Sequence, residues 1–236
     1  MEAFQLARTQ RDVALAEALL PILQNELERS HFIGWAVCGA VGLGSNVALQ
    51  ILEQEIERLD EYHDDQLKQV IIAAYTGRLS MHDREEEALK KLQGFFERIA
   101  TSPAPPPTLT TKAKAFYLNQ YQRLLHGMGE YEQASRIGAE VIALRPEDGT
   151  YYYNQSMNLE KLGEQEGMLA CIDKYMALME VTNEPDDDHL RRSVGLYCKA
   201  SRIEDARRAF AKLKTVNPYK ALLISENPDF ARVLGG

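Results

Sequence analysis

Apolar residues recur at helical spacing along most of the chain. From Ala48 onward, Ala48, Leu52, Ile56 and Leu59 share one helical face, with Glu53, Glu55, Glu57 and Arg58 between them. The β-branched run Val70-Ile71-Ile72 continues into the same periodicity, and no stretch shows sustained strand alternation bounded by turn residues. The pattern predicts an all-α chain, one helix after another. Glu184-Pro185-Asp186-Asp187-Asp188-His189 fits the opening of one of these helices, where free N–H groups and the helix dipole favour acids, better than a metal-ligand set. Thr101-Ser102-Pro103-Ala104-Pro105-Pro106-Pro107-Thr108 predicts an extended connector. It holds no arginine, so it reads as a spacer rather than as a P-x-x-P ligand.

One stretch resembles a membrane span. From Phe32 to Leu52, 21 positions carry no charge. Gly34, Gly39, Gly42 and Gly44 dilute its hydrophobicity, and Ser45-Asn46 marks a helix N-cap inside it. The expectation is therefore two helices meeting at Gly42-Leu43-Gly44, the first of them buried. The glycines lack a preceding strand and the spacing of a phosphate loop.

The helices repeat. Leu190-x2-Ser193-Val194-x2-Tyr197 is followed by Ala206-x3-Phe210 and Pro218, and Leu118-x2-Tyr121-Gln122-x2-Leu125 by Ala134-x3-Gly138 and Pro146. In both, 16 residues separate the first anchor from the alanine and 12 separate the alanine from the proline. A small residue five positions before the alanine, Gly129 or Ser201, marks the turn between two helices. Weaker copies run from Tyr152 through Gly163 to Met168 and Ile172, from Ile72 to Ala88 and Leu92, and from Phe32 and Trp35 to Ala48 and Leu52.

This arrangement resembles the tetratricopeptide repeat, whose pattern is W-x2-L-G-x2-Y, then A-x3-F, then P, with a period of about 34. Units begin near residues 29, 69, 115, 149 and 187, so only one step has the ideal 34 and loops have grown elsewhere. The resemblance covers most of residues 29–220. It implies an α-solenoid of stacked antiparallel hairpins, about five helix pairs plus capping helices. The expected organisation is N-terminal capping helices over 1–28 with Pro21 a kink, two degenerate units over 29–100, the Pro-rich linker over 101–112, three units over 113–220 and a capping helix over 221–236. Ala221, Leu222, Ile224, Phe230 and Val233 would cover the last open face.

Composition narrows the function. The 236 residues carry 27 Lys+Arg against 35 Asp+Glu, a net charge of −8, which argues against nucleic-acid binding. The apolar share of 45% suits a packed core. Cys38, Cys171 and Cys198 lie far apart without C-x-x-C spacing, which predicts reduced thiols in the cytoplasm rather than disulfides or zinc. The first residues lack the basic start and apolar core of a signal peptide. No hydrolase, P-loop, Rossmann or H-E-x-x-H motif is present, and the histidines share no ligand spacing. No catalysis, metal or cofactor is expected.

The family resemblance implies a concave groove lined by the first helix of each unit, at positions one, two and five beyond the first anchor. Those positions hold Asn119, Gln120 and Arg123, then Tyr153, Asn154 and Met157, then Arg191, Arg192 and Gly195, with Lys199 a turn further on. This polar-to-basic face would suit an acidic segment or a chain-terminal carboxylate of a partner protein. Some members of the family clamp such a carboxylate with a lysine–asparagine–asparagine–lysine–arginine set. Asn154 and Arg192 match two of those positions, while Asp188 stands where the second lysine would be. The expected function is an interaction scaffold or adaptor. The alternatives are a regulatory or sensor subunit responding to a peptide or small effector, and a membrane-associated assembly factor using residues 32–52.

Overall fold

The structure is a computed structural model, which describes residues 45–62, 64–80, 83–101, 110–182, 186–226 and 230. Among these are ten α-helices and no strand: α1 (Ser45–Glu57), α2 (Asp65–Ser80), α3 (Glu85–Thr101), α4 (Thr111–Gly127), α5 (Tyr131–Leu144), α6 (Gly149–Leu162), α7 (Gln165–Thr182), α8 (Asp187–Lys199), α9 (Ile203–Val216) and α10 (Pro218–Ser225). The all-α expectation holds for them. The chain divides into two compact units, Met1–Ile137 and Gly138–Gly236, with the division inside α5.

In the first unit α1 packs on α2, and both α2 and α3 pack on α4. Leu52, Leu59, Leu67, Ile71, Ile72, Tyr75, Leu79, Ala88 and Leu92 are fully buried, and Phe95 meets Tyr117 edge to face at 5.7 Å. Of the uncharged stretch Phe32–Leu52, the described part belongs to α1, and Leu49, Ile51 and Leu52 are buried in this core. Among the described residues no helix is long and apolar enough to cross a membrane. The expected capping helices over 1–28, the first helix of the unit begun at 29 and the junction at Gly42–Gly44 lie outside the described residues.

In the second unit α6 pairs with α7, α8 pairs with α9, and α10 packs on α8 and α9. Ile172, Leu190, Val194, Ala206, Ala209 and Leu213 are fully buried at its centre. Arg202, between α8 and α9, joins Asp173 of α7 to Asp205 of α9 at 2.7 Å each, and the Tyr197 hydroxyl donates to Asp173 at 2.8 Å.

Four inter-helix turns are built alike. Asp83, Gly129, Gly163 and Ser201 have left-handed φ values of 55°, 84°, 74° and 58°. Each follows a helix by one to three residues and lies five residues before Ala88, Ala134, Met168 or Ala206. The next N–H donates back to the carbonyl of Leu79, Leu125, Leu159 or Tyr197, at 2.9 to 3.0 Å, and the left-handed residue's own N–H donates to Ser80, His126, Glu160 or Cys198. This pair of bonds is the Schellman closure, which satisfies the last carbonyls of the first helix. The three alanines are fully buried and Met168 nearly so, as helix crossings require. The spacing singled out Gly129, Gly163 and Ser201; Asp83 is a fourth that it did not name.

Helix starts follow their caps. Thr110, Asp148, Asp186 and Asn217 accept hydrogen bonds from Ala113, Thr150, Asp188 with His189, and Lys220. The acidic run thus opens α8 as expected. Boundaries shift elsewhere. Thr101 still belongs to α3, and Thr111 and Lys112 to α4, so helix reaches into both ends of the expected linker 101–112; residues 102–109 lie outside the described residues. The capping helix expected over 221–236 starts at Pro218, because Asn217 caps it and Pro218 suits its first turn, and α10 ends at Ser225. Of its expected inner face Ala221 and Ile224 are buried and Phe230 is half-buried, while Leu222 is half exposed and Val233 lies outside the described residues.

Candidate functional site

Asn119, Gln120 and Arg123 lie on α4 in the first unit. Asn119 and Gln120 are buried, Gln120 accepting from the Thr76 hydroxyl at 3.3 Å, and Arg123 alone of the three is exposed. The remaining expected groove residues lie on α6 and α8 of the second unit, and there the structure brings several together.

Tyr153 is the hub. It is buried, and His189 from the first turn of α8 stacks on its ring. Tyr175 of α7 approaches both rings, at 5.8 Å from Tyr153 and 5.5 Å from His189. The Arg192 guanidinium sits 5.6 Å from the Tyr153 ring centre. Burial pushes the Tyr153 phenol up, and Arg192 opposes that shift. Tyr153 is therefore packed between rings and a guanidinium rather than presenting a free side chain.

The basic residues carry internal counterions. Arg192 is ion-paired with Glu160 of α6, and Lys199 Nζ lies 3.9 Å from the same carboxylate. Arg191 Nε lies 3.7 Å from Asp188 Oδ1. The face is thus a lattice of alternating charge. Arg191 and Lys199 of α8 remain exposed, and Asn154 and Met157 of α6 are half-buried. Asp188, which stands where the sequence resemblance implies a lysine, binds Lys220 of α10 at 2.8 Å, and Lys220 also binds Asp187 at 2.6 Å. Those two bonds hold the Lys220 ammonium up, and the hydrogen bonds from Lys220 and Asn217 hold the Asp187 carboxyl down. A lysine thus fills the acidic run.

Beside this lattice is an open cleft of about 250 Å³ lined by Glu160, Gly163, Gln165, Met168, Leu196, Lys199 and Ala200. Cys198 is half-buried nearby, and burial pushes its thiol up, as it pushes Cys171 up to about 11. This is opposite to the shift that prepares a thiolate nucleophile. Among the described residues no group of three His, Cys, Asp or Glu side chains is placed to hold a metal ion.

Sequence spacing missed Glu160, His189 and Lys220. Glu160 lies three residues beyond Met157 on the α6 face, whereas the offset that reached Lys199 on α8 falls on Lys161 here. His189 and Lys220 carry no spacing signal. No family model matches the chain, and no curated protein sequence matches it.

Proposed function

We propose that the protein is an interaction scaffold built from tetratricopeptide-type hairpins, and that the open face of α6 and α8 binds a segment of a partner protein. The observation that carries this is the fourfold recurrence of one turn: a left-handed residue, its Schellman bonds and a small or flexible buried residue five positions on. In such arrays, hairpins stack because each leaves an apolar face uncovered alone, and their first helices line a concave surface. The proposed site is Asn154, Met157, Arg191, Arg192 and Lys199, with Tyr153 as its floor. Asn119 and Arg123 would belong to the same kind of surface in the first unit, with Asn119 in a supporting role because it is buried.

An acidic segment suits this face because its carboxylates can exchange with Glu160 and Asp188 for the same cations. Exchange, rather than capture by unpaired cations, gives moderate affinity and strong dependence on salt. The proposed setting is the cytoplasm, with protein rather than nucleic acid as partner.

Affinity capture followed by mass spectrometry, with wild type and an Arg191→Ala/Arg192→Ala chain side by side, tests the proposal. Partners recovered by wild type and lost by the double variant support it. An unchanged set contradicts it.

A further inference from the structure

We propose that the Arg191–Gly195–Lys199 face of α8 is a seat for an aromatic side chain next to an acidic residue, and that the chain's own Phe230 occupies this seat; the inference rests on the groove assigned above. Residues four apart share one helical face, so Gly195 lies between the two cations. Gly195 has no side chain, and the Phe230 ring lies against it: its Cζ is in van der Waals range, 3.7 Å, of where a Cβ on Gly195 would stand. Phe230 is half-buried and packs against the core of the second unit.

The flanking cations are loosely held. Arg191 and Lys199 side chains are 56% and 71% exposed, and their carboxylate contacts are 3.7 and 3.9 Å long. Both keep donors for a further anion. In the sequence Phe230 follows Asp229, with Glu226 three positions earlier. A bare glycine surface between two exposed cations suits this combination, because the ring supplies apolar area and an acid supplies charge-assisted hydrogen bonds. A tethered occupant acts at high effective concentration, so an external segment of the same type binds only the fraction of molecules whose seat is open. Phe230 is therefore a built-in competitor as well as a guide to the ligand.

The probe is a labelled synthetic peptide with the sequence of residues 225–232, Ser-Glu-Asn-Pro-Asp-Phe-Ala-Arg, titrated into the full chain by fluorescence anisotropy. F230A is expected to bind it at least about tenfold more tightly than wild type. Binding should vanish when Gly195→Leu is added, or when the phenylalanine of the peptide is replaced by alanine. No binding to F230A, equal affinity for wild type and F230A, or indifference to Gly195→Leu overturns the proposal. If F230A melts below the assay temperature, F230L keeps an apolar cap with a poorer fit to the seat, and the same comparison decides. Partner recovery by Arg191→Ala/Arg192→Ala tests the groove, whereas the peptide titration tests the seat and its occupant, so the two can fail separately.

Discussion

His189 stacks on Tyr153 with ring centres 3.5 Å apart and ring planes 21° from parallel. The pair joins the first turn of α8 to the middle of α6, the two helices that carry the proposed groove. Aromatic pairs add about 1 kcal/mol beyond the area they bury. His189→Ala is expected to lower unfolding free energy by about that amount or slightly more, read from urea denaturation. A midpoint equal to that of wild type would show that the stack is incidental.

The turns give predictions of opposite sign. Ser201 and Gly163 occupy equivalent left-handed positions at φ 58° and 74°. A side chain there costs roughly 1 kcal/mol, partly offset because glycine loses more freedom on folding. Ser201→Gly should therefore raise the denaturation midpoint and Gly163→Ala should lower it. Shifts of the same sign in both would refute the common turn.

Overpacking tests the crossings. Ala206 is fully buried where α8 and α9 meet. Ala206→Leu should cost about 1–3 kcal/mol by forcing neighbours off their rotamers. The check is a lower urea midpoint with an unchanged slope.

High pH should weaken the fold. Burial raises the phenols of Tyr75, Tyr175 and Tyr197 well above the usual tyrosine range, and that of Tyr151 to about 12. An unfolded tyrosine ionises near pH ~10, so above that the unfolded chain sheds protons that the folded chain keeps, and stability falls as pH rises. Melts from about pH 8 to about pH 12, with tyrosinate absorbance followed in parallel, should show a plateau and then a decline. The Tyr75 hydroxyl is buried without a hydrogen-bond partner among the described residues. Tyr75→Phe should accordingly be neutral or stabilising and should remove part of the alkaline loss.

The helical class and three of the four turns were legible because they depend on local rules: period, a residue that tolerates positive φ, and a small or flexible buried residue five positions on. Asp83 escaped because aspartate signals caps and loops more often than a left-handed turn, although its distance to Ala88 is the same. The site was less legible. Asn119 and Gln120 hold groove positions by count yet are buried, because exposure depends on what packs over a side chain. The pairing of Arg192 with Glu160 joins residues 32 apart, and that of Lys220 with Asp187 residues 33 apart. Nothing in either local sequence predicts such pairs.

In the proposed groove, Glu160 is the internal competitor for the cations Arg192 and Lys199. Glu160→Gln leaves Arg192 and Lys199 without that carboxylate charge. Binding of acidic peptides should tighten several-fold at low salt, by about 1 kcal/mol, with the gain shrinking as salt rises. A salt-independent gain would point to a change of shape rather than of charge.

The most direct test is selection of peptides from a random display library on the full chain, repeated with Arg191→Ala/Lys199→Ala. The proposed groove predicts enrichment of acidic sequences on wild type and loss of that enrichment on the double variant. No enrichment of acidic sequences, or the same enrichment on both proteins, would contradict it.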